Sequence, residues 1–149
     1  MTIDIKTLAA QYISGKAAQP TMREVMDFCE WVDKRFASIA RYVQFTEKEV
    51  DPGEMTAHWD HCAVLRVSTA HNDHPFWPAD VNAKFRAVHD WDHIQGAMGF
   101  DLAGELCAAG YAISTAPESI HWILWSEVAL QAAAAIHTGE FQPQKLVKV

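Results

Sequence analysis

The stretch ADVNAKFRAVHDWDHIQGAM, Ala79 to Met98, decides the architecture. The residues before it, HNDHPFWP from His71 to Pro78, contain two prolines and an Asn-Asp pair, so they form a loop. Asp80 stands near the start of the stretch and Gly96 and Gly99 close it, the punctuation of a helix over about residues 79–98. His89 and His93 are four residues apart, so on that helix their rings project from one face, one turn apart. Helical zinc sites hold one ion between two imidazoles at this spacing, and Asp90 stands where the His-Glu-x-x-His pattern has its glutamate.

Working outward, the next helix is expected from Leu102 to about Ala112. It carries Glu105 on the same side as Leu102, Leu106 and Ala109. A carboxylate on an apolar face must be paired, hydrogen-bonded or metal-bound. Pro117 and Glu118 open a third helix that reaches about Ile136 and stops at Gly139, with an alanine-rich end suited to close packing. Ile120, Ile123, Leu124, Val128 and Ala132 form its apolar surface, and Glu127 and Gln131 lie beside that surface on one face. Three successive helices thus turn polar groups inward. The bland alternative is that Glu127 faces solvent and Glu105 pairs with Arg86.

Upstream, Ile5, Leu8, Ala9, Tyr12 and Ile13 give Ile3 to Ser14 a helical spacing, bracketed by Gly15 and Pro20. Thr21 and Glu24 make a capping box. The helix it opens has Val25, Phe28, Cys29, Val32, Phe36, Ile39 and Val43 on one stripe and is expected to reach about Gln44, before the Asp51-Pro52-Gly53 turn. Between Glu54 and Ser68 the pattern leaves a choice, because Cys62 to Ser68 reads equally as a buried strand or a helix end. The sum is an all-α single domain over residues 1–149, a bundle of about five helices with little or no sheet. Its C-terminal three helices, about residues 79–138, carry the site.

A chain of 149 residues can bury a sizeable core, and half of it is apolar. Twelve basic residues against nineteen acidic ones give a net charge of −7, which makes a broad phosphate-binding face and hence nucleic acid an unexpected partner, though not a local basic pocket. No apolar run approaches the roughly 18 residues of a membrane span. Met1 to Leu8 has no secretory pattern, so a cytoplasmic location is the default. Cys29, Cys62 and Cys107 are scattered, which argues against a disulfide framework and for small apolar filler. The oligomeric state is not legible.

Seven of the eight histidines lie between His58 and His121. His58 and His61 bracket Trp59-Asp60, and His71 and His74 bracket Asn72-Asp73. Either pair could lend a ligand, but loop histidines are more often hydrogen-bonded surface groups. His121 is about 600° of helical rotation from Glu127 and does not share its face. His137 is expected in solvent near a helix end. Trp31, Trp122 and Trp125 read as core or interface. Trp77 and Trp91 either pack in the core or wall a pocket beside the histidines. No Gly-rich phosphate loop, Gly-x-Ser-x-Gly elbow or Cys-His nucleophile arrangement is visible.

The run Phe85 to His93 (FRAVHDWDH), then Phe100 to Glu105 (FDLAGE), then Glu127 with Gln131, resembles a motif of uncharacterised, largely phage-associated helical proteins. The resemblance covers about the C-terminal 60 residues and implies that His89, His93, Glu105 and Glu127 belong to one site; it implies no reaction. A histidine of that pattern, one to two turns after the Gly-Glu pair, is absent here, where Ala112 stands nearby. There is a weaker similarity to the HD-type metal phosphohydrolases. His89-Asp90 matches their adjacent pair, and His58, His61 or His71 could match the first histidine. The final aspartate is missing after Asp101, so Glu127 would have to replace it.

The first expectation for function is a metal-dependent hydrolase. His89, His93 and Glu105 would hold one divalent ion, zinc foremost with iron or manganese as options, and the ion would lower the pKa of a bound water to about 7. Asp90 or Glu127 would act as general base, and Arg86, one turn before His89, would hold an anionic or other small-molecule substrate. The second is a helical di-iron oxidase or oxygenase, since Asp90 and His93 have acid-x-x-His spacing, but a second such pair is missing. The third is a non-enzymatic phage-encoded interaction protein, acting in the host cytoplasm, with a buried polar network.

Overall fold

The computed structural model describes residues 3–149. In chain order these form α1 (Ile5–Ser14), α2 (Met22–Ile39), β1 (Val43–Thr46), α3 (Pro52–Cys62), β2 (Leu65–Ser68), α4 (Ala79–Gln95), α5 (Leu102–Thr115), α6 (His121–Leu124) and α7 (Gln131–Thr138). The protein is mostly helical. No described helix is long and apolar enough to cross a membrane.

Short polar side chains start most of these helices by satisfying amides that the helix itself leaves open. Asp4 accepts from the Lys6 amide, Asp51 from that of Glu54, and Asp101 from that of Gly104. Thr21 and Glu24 form the expected reciprocal box, with the Thr21 amide donating to Glu24 at 2.8 Å and the Glu24 amide to Thr21 Oγ1 at 3.1 Å.

By its contacts the chain divides into two compact units, one of residues up to Asp27 together with Met98–Val149, the other of Phe28–Ala97. In the first, α1 packs on α7, and Leu8, Tyr12, Leu130, Ala133, Ala134 and Val147 make its core. The C-terminal segment closes over this core. The Ala18 amide donates to Leu146, and Ala17 bridges Val147 in antiparallel fashion. Lys145 Nζ donates to the Ile13 and Gly15 carbonyls at the end of α1. Between α6 and α7 the helix is wound as a π-helix, Trp125–Leu130, and it ends at Gly139 with φ 80°, the glycine stop expected from sequence. The π turn places Ser126, fully buried, so that its Oγ accepts from the Val147 amide at 2.9 Å.

Glu24 has a second task here, accepting from the Trp122 indole at 3.1 Å. Partial burial raises its pKa, but the Thr21 amide, the indole N–H, Lys148 and the Thr21 hydroxyl together bring it below the usual carboxylate value. A carboxyl whose pKa falls on folding stabilises the fold above its unfolded value, and that contribution fades as pH drops through the lowered folded value. Glu24→Gln is therefore expected to be less stable than wild type above about pH 5 and to converge with it at low pH, flattening the acid limb of the stability–pH curve. Parallel acid limbs for the two proteins would contradict this.

The second unit departs from the sequence expectation. α2 stops at Ile39 instead of running to Gln44, and after a 3₁₀ turn, Ala40–Tyr42, the chain enters β1. β1 pairs in parallel with β2, Val43 opposite Leu65 through Thr46 opposite Ser68. The stretch left open as strand or helix end is thus resolved, as the helix α3 followed by a strand. Leu65 and Val67 are buried, and β-branched Val43 and Thr46 suit the pairing, so tertiary contacts override the helical stripe that Val43 seemed to extend. α4 ends three residues early, at Gln95, where Ala97 turns left-handed at φ 50°.

Phe28 is the centre of an aromatic core, stacked on Trp77 at 4.0 Å and edge-on to Phe85 at 5.2 Å. A second group joins Tyr42, Trp59 and Trp91, with Trp91 stacked on Tyr42 at 5.2 Å. Both tryptophans near the histidines are therefore packing groups. The filler reading of the cysteines fails for Cys62 and Cys107, which are exposed; Cys29 is half-buried, and all three are free.

Candidate metal centre

His89 and His93 both lie on α4, and the expected convergence is realised there. Their Nε2 atoms are 3.1 Å apart and their ring centroids 4.5 Å apart. Two nitrogens bound to one zinc at about 2.0–2.1 Å in tetrahedral geometry stand about 3.3 Å apart. The observed separation therefore needs almost no adjustment to hold an ion, and without one it is a hydrogen bond in which one ring donates. His93 is 1 % exposed and His89 half-buried. Asp90 Oδ1 lies 3.6 Å from His89 Nδ1, the other nitrogen of the ring.

Three contacts fix the half of α4 that carries the pair. Arg35 on α2 grips Asp92 with both terminal nitrogens, at 2.7 and 2.8 Å. Trp91 is clamped in its aromatic group. Arg86 donates to the carbonyl oxygens of Ser68 at 3.1 Å, Ala70 at 2.6 Å and His71 at 2.6 Å. That last contact gives Arg86 a loop-holding task that the sequence reading did not foresee. Burial pushes its pKa down while Asp90 pushes it up, and its donors are engaged in holding the loop after β2. These bonds occupy three of the five guanidinium N–H groups.

Glu105 belongs to the other unit. It is 8 % exposed on α5, one residue after Gly104 and within the first turn capped by Asp101. Glu127 sits in the π segment, half-buried, and accepts from Gln144 Nε2 at 2.7 Å; Gln131 in turn donates to Gln144 Oε1. Its negative charge also raises the pKa of Tyr12, whose hydroxyl is chiefly affected by burial. π segments are rare and frequently mark functional positions.

The remaining histidines are engaged elsewhere. His58, on α3 and not in a loop, contacts the Val64 carbonyl through Nδ1 at 3.0 Å. His71 pairs with Glu49 at 3.2 Å, His74 stacks on Trp77 at 3.6 Å, and His121 meets the Ala116 carbonyl at 3.0 Å. His61 and His137 are exposed. Around Trp77, sequence reasoning missed a polar chain: its indole donates to Asn82, Asn82 donates to Asn72, and Asn72 donates to the Ala79 carbonyl.

Family models, curated proteins and solved structures offer no match to the chain. The reading of the site rests on its chemistry alone.

Sequence reasoning also missed Arg35 and Asp92. A signal existed: Asp92 lies four residues after Val88 and seven after Phe85, both buried, so it falls on the core face of α4 and demands a partner.

Proposed function

We propose that the protein is a metal-dependent hydrolase in which His89 and His93 hold one divalent ion and Glu105 supplies the third ligand. The observation that carries this reading is the 3.1 Å separation of the two Nε2 atoms on α4. Two imidazoles and a carboxylate suit zinc first, with iron or manganese as alternatives. The ion would supply a bound water of lowered pKa. Asp90, adjacent to His89 in the chain, and Glu127 are the two carboxylates proposed as general base. Location in the cytoplasm and action on a small anionic substrate belong to the same proposal.

Elemental analysis of tag-free protein is the direct test, with about one equivalent of a divalent metal expected. Binding to the folded state adds about 2.7 kcal/mol when free metal is a hundredfold above Kd. For a chain of this size that is about 5–10 °C in Tm. Wild type should lose this on chelation, whereas Glu105→Gln should melt alike with and without chelator. Identical melting of wild type under both conditions, with a destabilised Glu105→Gln, would leave a structural polar network and overturn the metal reading.

A further inference from the structure

A net charge of −7 leaves room for a local basic pocket, and the unit built from the two ends of the chain contains one. Of the seven lysines, Lys6, Lys16 and Lys148 line one groove of about 670 Å³ between α1 and the C-terminal segment. A fourth, Lys145, donates to the Ile13 and Gly15 carbonyls at one end of it. Among the described residues no acidic side chain lines this groove. The lysines are not equivalent. Lys148 holds its ammonium 5.1 Å over the Trp122 ring and acts on Glu24. Lys6 and Lys16 are exposed, and neither ammonium has a partner among the described residues. One stands in the first turn of α1 and the other just past its end. From Lys6 to Ser14 the helix rises about 12 Å, which an extended segment covers in about four residues. Between the two lysines α1 contributes Thr7, Ala10, Gln11 and Ser14, and Val147 and Val149 add apolar surface. The groove is held in shape without any ligand. Ala17 bridges Val147, whose amide is anchored on Ser126, and a Cβ at Gly15 would meet the Gln11 carbonyl and Val147. Such preorganisation lowers the ordering cost of binding.

We propose that this groove docks an extended acidic segment of a partner protein, with carboxylates about four residues apart paired to Lys6 and Lys16. A small apolar side chain between them lies against Ala10 and the two valines. Sites for small molecules bury most of their ligand, whereas Lys6, Thr7, Ala10, Ser14 and Lys16 are all exposed. An extended segment tolerates this, because one of its sides stays in water. The overall negative charge does not forbid an acidic partner, since in physiological salt it is screened beyond about 8 Å while the groove cations act at contact. Exposed pairs are individually weak, so the complex is a transient one. This inference is independent of the metal reading.

The probe is the capped peptide Glu-Ala-Val-Ala-Glu, titrated into the full chain and followed in amide ¹H–¹⁵N spectra. Saturable shifts are expected at Lys6, Ser14, Lys16 and Lys148, with a Kd below about 1 mM. The matched peptide Gln-Ala-Val-Ala-Gln, and one with its two glutamates adjacent, should each bind about fivefold more weakly or worse. Lys6→Glu/Lys16→Glu should weaken binding of the first peptide by about tenfold or more, whereas Lys34→Glu, at an exposed lysine of the other unit, should leave it unchanged. If the double reversal disturbs α1, Lys6→Gln/Lys16→Gln removes the charges without adding acids beside Asp4, and should still weaken binding. The absence of saturable shifts, or shifts confined to another face, overturns the proposal. Equal affinity for the glutamine peptide, or unchanged affinity in both double variants, does so too. Binding of phosphatidylserine vesicles through the same lysines, without any peptide shifts, would make the groove a lipid contact and equally overturn it.

Discussion

Replacing Arg35 with methionine is expected to cost about 3–5 kcal/mol of folding stability, which is large for one substitution. Exposed ion pairs are typically worth about 0–1 kcal/mol, because water screens them and two long side chains must be ordered. This pair differs in its surroundings. The side chain of Asp92 is 3 % exposed and that of Arg35 18 %, and both guanidinium nitrogens engage the carboxylate. Removing the arginine strands a carboxylate in the core that water cannot reach. The methylene stem of methionine keeps most of the volume, so the loss measures the charge and not a cavity. Urea denaturation gives the value directly. The double variant Arg35→Met/Asp92→Leu should recover most of the loss, since a buried ion pair exchanged for apolar groups is often neutral. A single-variant cost below about 1 kcal/mol, within the range of surface pairs, would show the carboxylate to be solvated. Asp92 immediately precedes His93, so the same variant should also loosen the imidazole pair.

What was legible in the sequence follows from the range of the interactions involved. The His89–His93 convergence is local, decided by four residues of helix, and it is realised at 3.1 Å. The caps at Asp51, Asp101 and Thr21–Glu24 are equally local. The β1–β2 pairing joins residues 22 apart in the chain, from Val43 to Leu65, and each strand is only four residues long. Such a run satisfies a helical stripe as readily as an alternating one, and only the partner strand decides between them. The winding of Trp125–Leu130 escapes a period of 3.6, which assigned Glu127 and Gln131 one face; the π turn instead brings both to Gln144.

Arg86 shows a further limit. Its sequence position, one turn before His89, suggested a free cation beside the site. The loop it serves turns left-handed at His71, φ 51°, and its Ser68, Ala70 and His71 carbonyls accept from the guanidinium. Buried or half-buried carbonyls must find a donor, and a guanidinium with five N–H groups meets several at once. The demand was created by loop geometry, which no residue pattern near Arg86 announces. Glu105, in contrast, was found from sequence because a carboxylate among Leu102, Leu106 and Ala109 is anomalous wherever the helix packs, and it is 8 % exposed.

Gly104→Ala is the second substitution with a large expected effect, a loss above about 3 kcal/mol or failure to fold. A methyl group at Gly104 would fall inside the carbonyl group of Gly99, with the Gly99 nitrogen 2.9 Å away. The obstacle is backbone, so no rotamer change relieves it. The chain between Gly99 and Asp101 must move, and with it the Asp101 side chain that accepts from the Gly104 amide at 2.9 Å. The cap and the first turn of α5 are then lost together, and Glu105 stands in that turn. Gly110, on the same helix, is the control: a Cβ there meets nothing within 4 Å. Gly110→Ala should stabilise by about 0.5–1 kcal/mol, because alanine restricts the unfolded chain and favours the helix. Thermal melts of the two variants should therefore shift in opposite directions from wild type. If Gly104→Ala retains some fold, its melting should no longer respond to chelator, because the proposed ligand turn is displaced. A Gly104→Ala protein as stable as wild type would mean that the Gly99–Asp101 turn yields freely, and that the start of α5 does not fix Glu105.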